Sequence, residues 1–148
     1  MSSYNLDYGQ RPTTVIAFRL TGDDLRPQLI TQALGIASSK AWAKGDVRKR
    51  PGNYYTFGCW ALNPSCSKYE PFEVQLNQLL GQLEALPPAL KDFVKRFDGE
   101  ISIGFSSGGD TFGFAIDHRL MERLCQFGVA LDFDIYAIHE EDDDKKSA

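Results

Sequence analysis

The segment Val129–Ile138 constrains the fold of this chain more than any other stretch. Its apolar and polar side chains alternate, and successive side chains of a β-strand point to opposite faces of the sheet. The alternation therefore predicts a strand with one face packed on a core, and that face carries Val129, Leu131, Phe133, Ile135 and Ala137. The other face is predicted to point outward, and it carries Asp132, Asp134 and Tyr136.

The length and composition of the chain indicate one globular domain. The chain has 148 residues, of which 43% are hydrophobic and 24% are charged, as is ordinary for a soluble protein with a sizeable core. We expect an N-terminal extension at residues 1–12, a single α+β domain at residues 13–139 and an acidic disordered tail at residues 140–148. The tail prediction rests on the charge of that segment and its lack of aromatic residues.

Hydrophobic periodicity predicts the element order β-α-β-β-α-α-β-β-α-β. The predicted strands cover residues 13–20, 42–47, 54–62, 101–105, 112–116 and 129–138. The first predicted helix has its N-cap chemistry in Thr21–Asp24 and stops at Gly35, and the others lie at residues 72–86, after Pro88 and after Asp117. Turn residues at 106–111 predict a hairpin between strands 101–105 and 112–116. Helices set against a mostly antiparallel sheet make a two-layer α+β sandwich.

Charge and cysteine usage favour a cytoplasmic protein with protein partners. The net charge is −4, and an acidic chain repels both nucleic acid and anionic membrane. The first fifty residues hold eight basic and four acidic residues, so the acidic excess lies in the rest of the chain. We find no apolar run of membrane-spanning length and no signal-peptide pattern. The three cysteines form no CxxC pair, which favours reduced thiols.

No motif predicts an enzyme, a metal site or a cofactor. His118 and His139 lack a metal-ligand spacing, and His118 is expected at a helix start in a capping or surface role. The Gly-rich residues 104–110 lack the helix and the Gly-Lys-Ser/Thr ending of a phosphate-binding loop, so a plain turn is the better interpretation. Cys59 is expected to be an inert core thiol beside Trp60. A hydrolase that uses Cys59 or His118 is the weakest alternative.

Two groups of side chains are candidates for partner binding. The first is the outward trio Asp132, Asp134 and Tyr136. The second combines aromatic rings with cations near the start of the predicted hairpin, and it comprises Trp42, Lys44 and Asp46 with the basic run Arg48–Arg50. Proteins that bind single-stranded nucleic acid combine rings and cations in this way. The acidic net charge instead favours a solvated hairpin over a core tryptophan.

Several short motifs resemble a bacterial family of domains of unknown function, family forty-two seventy-nine. The resemblance covers roughly residues 15–138. It is carried by Leu34-Gly-Ile36, Trp42 with Lys44-Gly-Asp46, Gly58-Cys-Trp60, Glu73-x-Gln-Leu76-x-x-Leu79-Leu80 and Leu131-Asp-Phe-Asp-Ile-Tyr136. The family supplies no catalytic residues. The resemblance implies a role as an immunity protein. Small acidic single-domain bacterial proteins of this kind are often immunity proteins encoded beside polymorphic (Rhs-type) toxins.

Together these observations predict a non-enzymatic cytoplasmic immunity protein that binds a cognate toxin and occludes its active site. Acidic and aromatic side chains would cover a basic substrate-binding cleft of the toxin. The expected contact residues are Asp132, Asp134, Tyr136, Trp42, Lys44 and Asp46. No cofactor, metal, nucleic acid or membrane enters this expectation. The alternative is a small-ligand or nucleic-acid binding domain that uses Trp42, Lys44 and Arg48–Arg50.

Overall fold

The computed structural model describes residues 11–108 and 113–136. Within these ranges the strands are β1 (Thr13–Gly22), β2 (Lys40–Trp42), β3 (Gly58–Leu62), β4 (Asp98–Ser106) and β5 (Ala130–Tyr136). The helices are α1 (Pro27–Leu34), α2 (Phe72–Glu84), α3 (Ala89–Arg96) and α4 (His118–Cys125). The strands form one open sheet and the helices pack on one side of it, so the predicted two-layer α+β sandwich is confirmed.

The sheet has the strand order β2-β3-β1-β4-β5. β1 lies at the centre and pairs antiparallel with both β3 and β4, and β2 pairs antiparallel with β3. β4 and β5 pair in parallel. A parallel connection needs a crossover, and α4 lies between these two strands along the chain. The sheet is therefore mostly antiparallel, with β2 and β5 at its two edges.

The predicted hairpin between residues 101–105 and 112–116 is wrong. β4 is a strand as predicted, but residues 113–116 form no strand, and residue 112 lies outside the described residues. The apolar residues of this segment pack as coil: Phe114 stacks on Phe105, and Ile116 contacts the core. A short apolar run that packs on a core has no periodicity of its own, which is why it resembled a strand.

The predicted strand 54–62 is shorter in the structure, and the predicted strand 42–47 is wrong except at Trp42, because the observed strand covers Lys40–Trp42. β2 ends at Trp42 because a turn follows, in which Gly45 has a φ of 93°. Beyond that turn the chain keeps a hairpin form, with a single antiparallel bridge between Val47 and Tyr54. Strand pairing resumes only at β3. The excursion at residues 43–57, which we call the β2–β3 hairpin loop, thus projects from the β2 edge.

Three helix ends follow the predicted chemistry, whereas the helix predicted at residues 72–86 ends at Glu84. Gly35 ends α1 with a φ of 69°, and its N–H donates to the Thr31 carbonyl. Pro88 directly precedes α3, and Asp117 caps α4. The predicted N-cap in Thr21–Asp24 is wrong, since α1 begins at Pro27, after Arg26. A proline fits the first turn of a helix, where its missing N–H needs no partner.

The core lies between the sheet and the helix layer. In β1, the buried side chains alternate with more exposed ones, and the core face carries Thr14, Ile16, Phe18 and Leu20. One cluster of buried side chains connects the sheet to all four helices. A buried amide links the layers: Gln75 Nε2 of α2 donates to the Thr14 carbonyl at 2.8 Å and to the Glu70 carbonyl at 2.9 Å. A buried amide with its donors satisfied adds specificity to the packing without leaving a polar group unpaired.

Helix α4 carries a pH-dependent cap. Asp117 Oδ1 accepts a hydrogen bond of 2.9 Å from the Leu120 N–H, which lowers the pKa of the Asp117 carboxyl. Because the folded pKa lies below the unfolded one, the stabilisation is present above the unfolded pKa and is lost as pH falls through the folded pKa. We expect Asp117→Asn to lower Tm at neutral pH, and the difference from wild type to disappear in acid. Thermal melts across a pH series test this.

Asp117→Ala is the control, because it removes the acceptor itself. Its Tm should stay below that of wild type at every pH. A Tm difference between Asp117→Asn and wild type that does not change with pH would mean that the charge of Asp117 contributes nothing to the cap.

Candidate binding surface

One face of the sheet points away from the helices, and we call it the open face. Strand register places side chains from all five strands on it. The positions are Lys40 and Trp42 of β2; Cys59 and Ala61 of β3; Thr13, Val15, Ala17, Arg19 and Thr21 of β1; Asp98, Glu100, Ser102, Gly104 and Ser106 of β4; and Ala130, Asp132, Asp134 and Tyr136 of β5. The described helices all contribute to the core cluster on the opposite side. Among the described residues, no helix covers the open face.

The centre of the open face is an ion pair surrounded by small side chains. Arg19 and Glu100 are cross-strand partners, and Arg19 NH1 lies 3.5 Å from Glu100 Oε1, with both side chains partly buried. Arg19 also hydrogen-bonds the thiol of Cys59. Ala17 and Ser102 lie on one side of this pair along the strands, and Thr21 and Asp98 lie on the other. The two main charges at the centre therefore neutralise each other.

The β5 edge of the open face is acidic and exposed. Asp132 and Asp134 are exposed, as the alternation predicted, and neither forms an ion pair with a described residue. Tyr136 is 48% exposed and lies beside Gly104, where an added Cβ would be 4.0 Å from its ring. Two carboxylates and a phenol thus lie in one exposed row, without an ion pair to the described part of the chain.

The predicted apolar face of the last strand is only partly buried. Val129 and Leu131 pack against the core, and Phe133 stacks 5.6 Å from Phe114 and 6.5 Å from Phe105. Phe133 is nevertheless 37% exposed and Ile135 is 71% exposed. The prediction that Ile135 packs on the core is wrong, because an edge strand has a neighbour on one side only. Ala137 lies outside the described residues.

At the opposite edge, the ring of Trp42 already packs against other side chains of the protein. It stacks on Tyr55 with 4.2 Å between ring centroids, and Lys40 Nζ lies 5.4 Å from the Trp42 ring. The indole N–H donates to the Phe57 carbonyl at 2.9 Å. A base needs an open ring face on which to stack. The packing of Trp42 therefore counts against the nucleic-acid alternative.

The motif Trp42-x-Lys-Gly-Asp46 forms a tight turn. The Ala43 N–H donates to Asp46 Oδ2 at 2.9 Å, and Gly45 adopts the positive φ that such a turn requires at its third position. Lys44 stands at the tip, where its Nζ lies 3.6 Å from the Asp23 carboxylate in a solvent-exposed pair. Asp46 thus has a structural role. Of the two charged residues, Lys44 is the one whose side chain stands free of the turn.

The structure does not bring the two predicted groups together. The trio Asp132, Asp134 and Tyr136 lies on one edge strand and Trp42 on the other, four strand spacings or about 19 Å apart. Trp42 and the trio do share the open face. The asymmetry of charge along the sequence becomes a separation in space, with the basic β2–β3 hairpin loop at one edge and the acidic β5 at the other.

A polar cleft of about 640 Å³ lies at one end of the sheet, and sequence reasoning missed it. Its charged residues include the pair Arg19–Glu100 and the pair Arg96–Asp24, whose atoms approach to 3.2 Å. Ligand sites are usually more apolar than this cleft. Its charges come from β1, the segment after β1, α3 and β4, so only the tertiary fold brings them together.

The structure also bears on the enzymatic alternative. Cys59 is fully buried, and burial raises the pKa of its thiol, a shift that the hydrogen bond from Arg19 opposes only in part. A thiol in this state is a poor nucleophile. His118 is exposed at the first position of α4, as expected, and His139 lies outside the described residues. No group of three or more His, Cys, Asp or Glu side chains within residues 11–108 and 113–136 is arranged to hold a metal ion.

Comparison with known proteins identifies the family of this chain. None of the helices in the described ranges combines the length and the apolar character needed to cross a bilayer. No significant match was found among curated proteins or solved structures. The model of a family described as a domain of unknown function, DUF4279, matches residues 12–138. Since this match covers most of the chain, the protein belongs to the DUF4279 family.

Proposed function

We propose that this protein is a cytoplasmic immunity protein that binds a cognate bacterial toxin and occludes its active site. The observation that carries the proposal is the row of unpaired acids on β5, Asp132 and Asp134, beside the exposed ring of Tyr136. A rigid strand that presents carboxylates and an aromatic side chain suits a basic cleft on another protein. The implied role of the family resemblance agrees with this chemistry.

The distribution of charge on the open face supports the same partner. On β4, Asp98 adds an exposed acid to the open face while Glu100 is paired with Arg19, whereas the cations Arg48–Arg50 lie beyond the opposite edge. A toxin that cleaves or binds a polyanion needs a basic cleft. Opposite potentials on the two proteins steer their encounter and raise the association rate. The β5 half of the open face is therefore the proposed docking region.

Trp42 and Lys44 belong to the same surface only if the interface is broad. A protein interface of standard size covers about 800 Å² per partner, which is wide enough to extend from β5 to β2. Aromatic side chains supply much of the affinity in such interfaces. In this arrangement Tyr136 anchors one side of the toxin and Trp42 borders the other, while Asp46 holds the turn that carries Lys44.

The test uses the toxin domain encoded by the gene adjacent to this one, produced in bacteria with and without this protein. We expect the wild-type protein to restore growth, and the double variant Asp132→Asn with Asp134→Asn to protect less well. The loss of two steering charges should slow association with the purified toxin by about tenfold at low salt. Surface-binding kinetics at two salt concentrations measure this rate.

A matched control removes two acids elsewhere. Asp92→Asn with Glu122→Gln changes the net charge equally, but both residues are exposed on helices, on the other side of the sheet. This control should protect like wild type, and circular dichroism should show both double variants folded. Equal protection and equal association rates for all three proteins would place the interface elsewhere, with the β2–β3 hairpin loop as the next candidate.

The nucleic-acid alternative has its own assay. We expect no binding of a generic single-stranded oligonucleotide at physiological salt, because the chain is acidic and the Trp42 ring is occupied. Sub-micromolar binding that weakens with salt, and that is lost in Arg48→Ala with Arg50→Ala, would replace the immunity proposal with a nucleic-acid one.

A further inference from the structure

Among the described residues, the outer edge of β5 is an unpaired strand edge. The Tyr136 carbonyl accepts from the Ser107 N–H, which continues the ladder beside β4. Because the N–H and C=O of one strand residue point the same way, residues 132, 134 and 136 direct their backbone toward β4. The backbone groups of Leu131, Phe133 and Ile135 therefore point to the outer edge, where no described residue pairs with them.

The two edges of the sheet differ in how well they are protected. β2 is only three residues long and turns away after Trp42, a form that limits pairing with another chain. β5 extends over seven residues and contains no proline or lysine. Its outer side also has exposed apolar side chains at Phe133 and Ile135. An edge of this length and composition can accept a further strand.

The charges of β5 indicate which kind of strand can pair with its outer edge. A second copy of the chain paired antiparallel about Phe133 would set Asp132 against Asp134 twice, and directly opposed like charges destabilise a strand pair. The same repulsion disfavours the acidic run Glu140–Asp144 of this chain as the added strand. A strand with Lys or Arg facing the two aspartates has the complementary charge.

We propose that the outer edge of β5 binds an extended basic segment of the toxin by strand addition, an inference that rests on the proposed immunity function for the identity of the partner. Main-chain hydrogen bonds from Leu131, Phe133 and Ile135 hold the segment. Its basic side chains face Asp132 and Asp134 on the open face. Its alternate apolar side chains contact Phe133 and Ile135 on the other. The toxin segment that fits this edge therefore alternates basic and apolar residues.

The first experiment needs no toxin. The probe is a capped seven-residue peptide of alternating Lys and Val, titrated into the full chain and followed by NMR amide shifts, which detect weak binding. We expect the shifts to centre on β5, with slowed hydrogen exchange at the Phe133 and Ile135 amides. The matched peptide of alternating Glu and Val should not bind. Equal binding of both peptides, no binding of the Lys-Val peptide, or shifts centred elsewhere would overturn the proposal.

Ile135→Pro removes one outward N–H and obstructs the edge. Proline is tolerated on an edge strand when its missing N–H faces solvent, so this variant should stay folded. It should bind the Lys-Val peptide about tenfold more weakly, since an acceptor on the peptide loses its donor. Ile135→Ala is the matched control, because it trims the side chain but keeps the N–H, and its affinity should stay within about threefold of wild type. Equal affinity of Ile135→Pro and Ile135→Ala would overturn the proposal.

Two further outcomes separate this proposal from the immunity function. Peptide binding at β5 without protection from the toxin would support strand addition and remove the immunity role. Protection that Ile135→Pro leaves intact would support immunity and overturn strand addition. Concentration-dependent dimerisation that Ile135→Pro abolishes would also overturn the proposal, because the occupant would then be a second copy.

Discussion

Trp60→Ala is expected to lower the free energy of unfolding by about 3–5 kcal/mol. The Trp60 side chain has an exposed fraction of 0%, and it is the largest of the fully buried side chains in the described part of the protein. Its ring meets Phe18 edge to face at a centroid distance of 6.4 Å, and its Nε1 donates to Thr31 Oγ1 of α1 at 3.0 Å. Truncation leaves a cavity between the sheet and α1. Because domains are stable by only about 5–15 kcal/mol, urea unfolding should show a large drop.

Two controls separate the packing of Trp60 from its hydrogen bond. Thr31→Val removes the acceptor and leaves the indole N–H unpaired, which should cost about 1–3 kcal/mol. Trp42→Ala changes the other tryptophan, which is partly exposed at the sheet edge, and should destabilise the fold less than Trp60→Ala. A loss of under about 1 kcal/mol for Trp60→Ala would mean that the core closes around the deletion.

Local sequence chemistry was enough to predict most of the elements. The β-branched and aromatic residues of β1 predicted that strand, and period-two alternation predicted the outward acids of β5, because each signal depends only on neighbouring side chains. The helix ends at Gly35 and Asp117 were likewise predictable from backbone conformation and capping. Where a tertiary contact decided the outcome, the prediction failed: residues 113–116 pack their apolar side chains as coil although they resemble a strand.

Strand order was the information that the sequence did not provide. Nothing in Ala130–Tyr136 reveals that its partner is β4, that the pairing is parallel, or that the strand lies at an edge. Those facts depend on how α4 crosses the sheet. The edge position of β5 explains why Ile135 is exposed. The strand order also explains why Trp42 and Asp132 share a face while lying at opposite edges of it.

The sequence therefore predicted which side chains the candidate surface presents, but it did not predict how the strands arrange them. Asp132, Asp134 and Tyr136 were identified because an alternating strand must show its polar side chains to one face. The small residues between the two edges, such as Ala17 and Ser102, carry no chemical signal in sequence. They come to lie between the two edges only once the five strands are aligned.

Gly58→Ala and Gly81→Ala are the same substitution with opposite expected effects. Gly58 begins β3, where an added Cβ would lie 2.7 Å from the Leu25 carbonyl oxygen and 3.1 Å from the Leu25 Cβ. The carbonyl is backbone and cannot rotate away, so the segment before α1 must move. Overpacking of this kind costs about 1–3 kcal/mol. We expect urea unfolding of Gly58→Ala to show that loss in free energy.

Gly81 is exposed inside α2, and an added Cβ there meets nothing within 4 Å. A helical glycine costs conformational entropy that alanine does not, so Gly81→Ala should raise the free energy of unfolding by about 0.5–1 kcal/mol. The pair is measured in the same urea series. If Gly58→Ala left the free energy of unfolding unchanged, residues 22–25 would be able to move at little cost. The contact between β3 and the segment before α1 would then not explain why position 58 is a glycine.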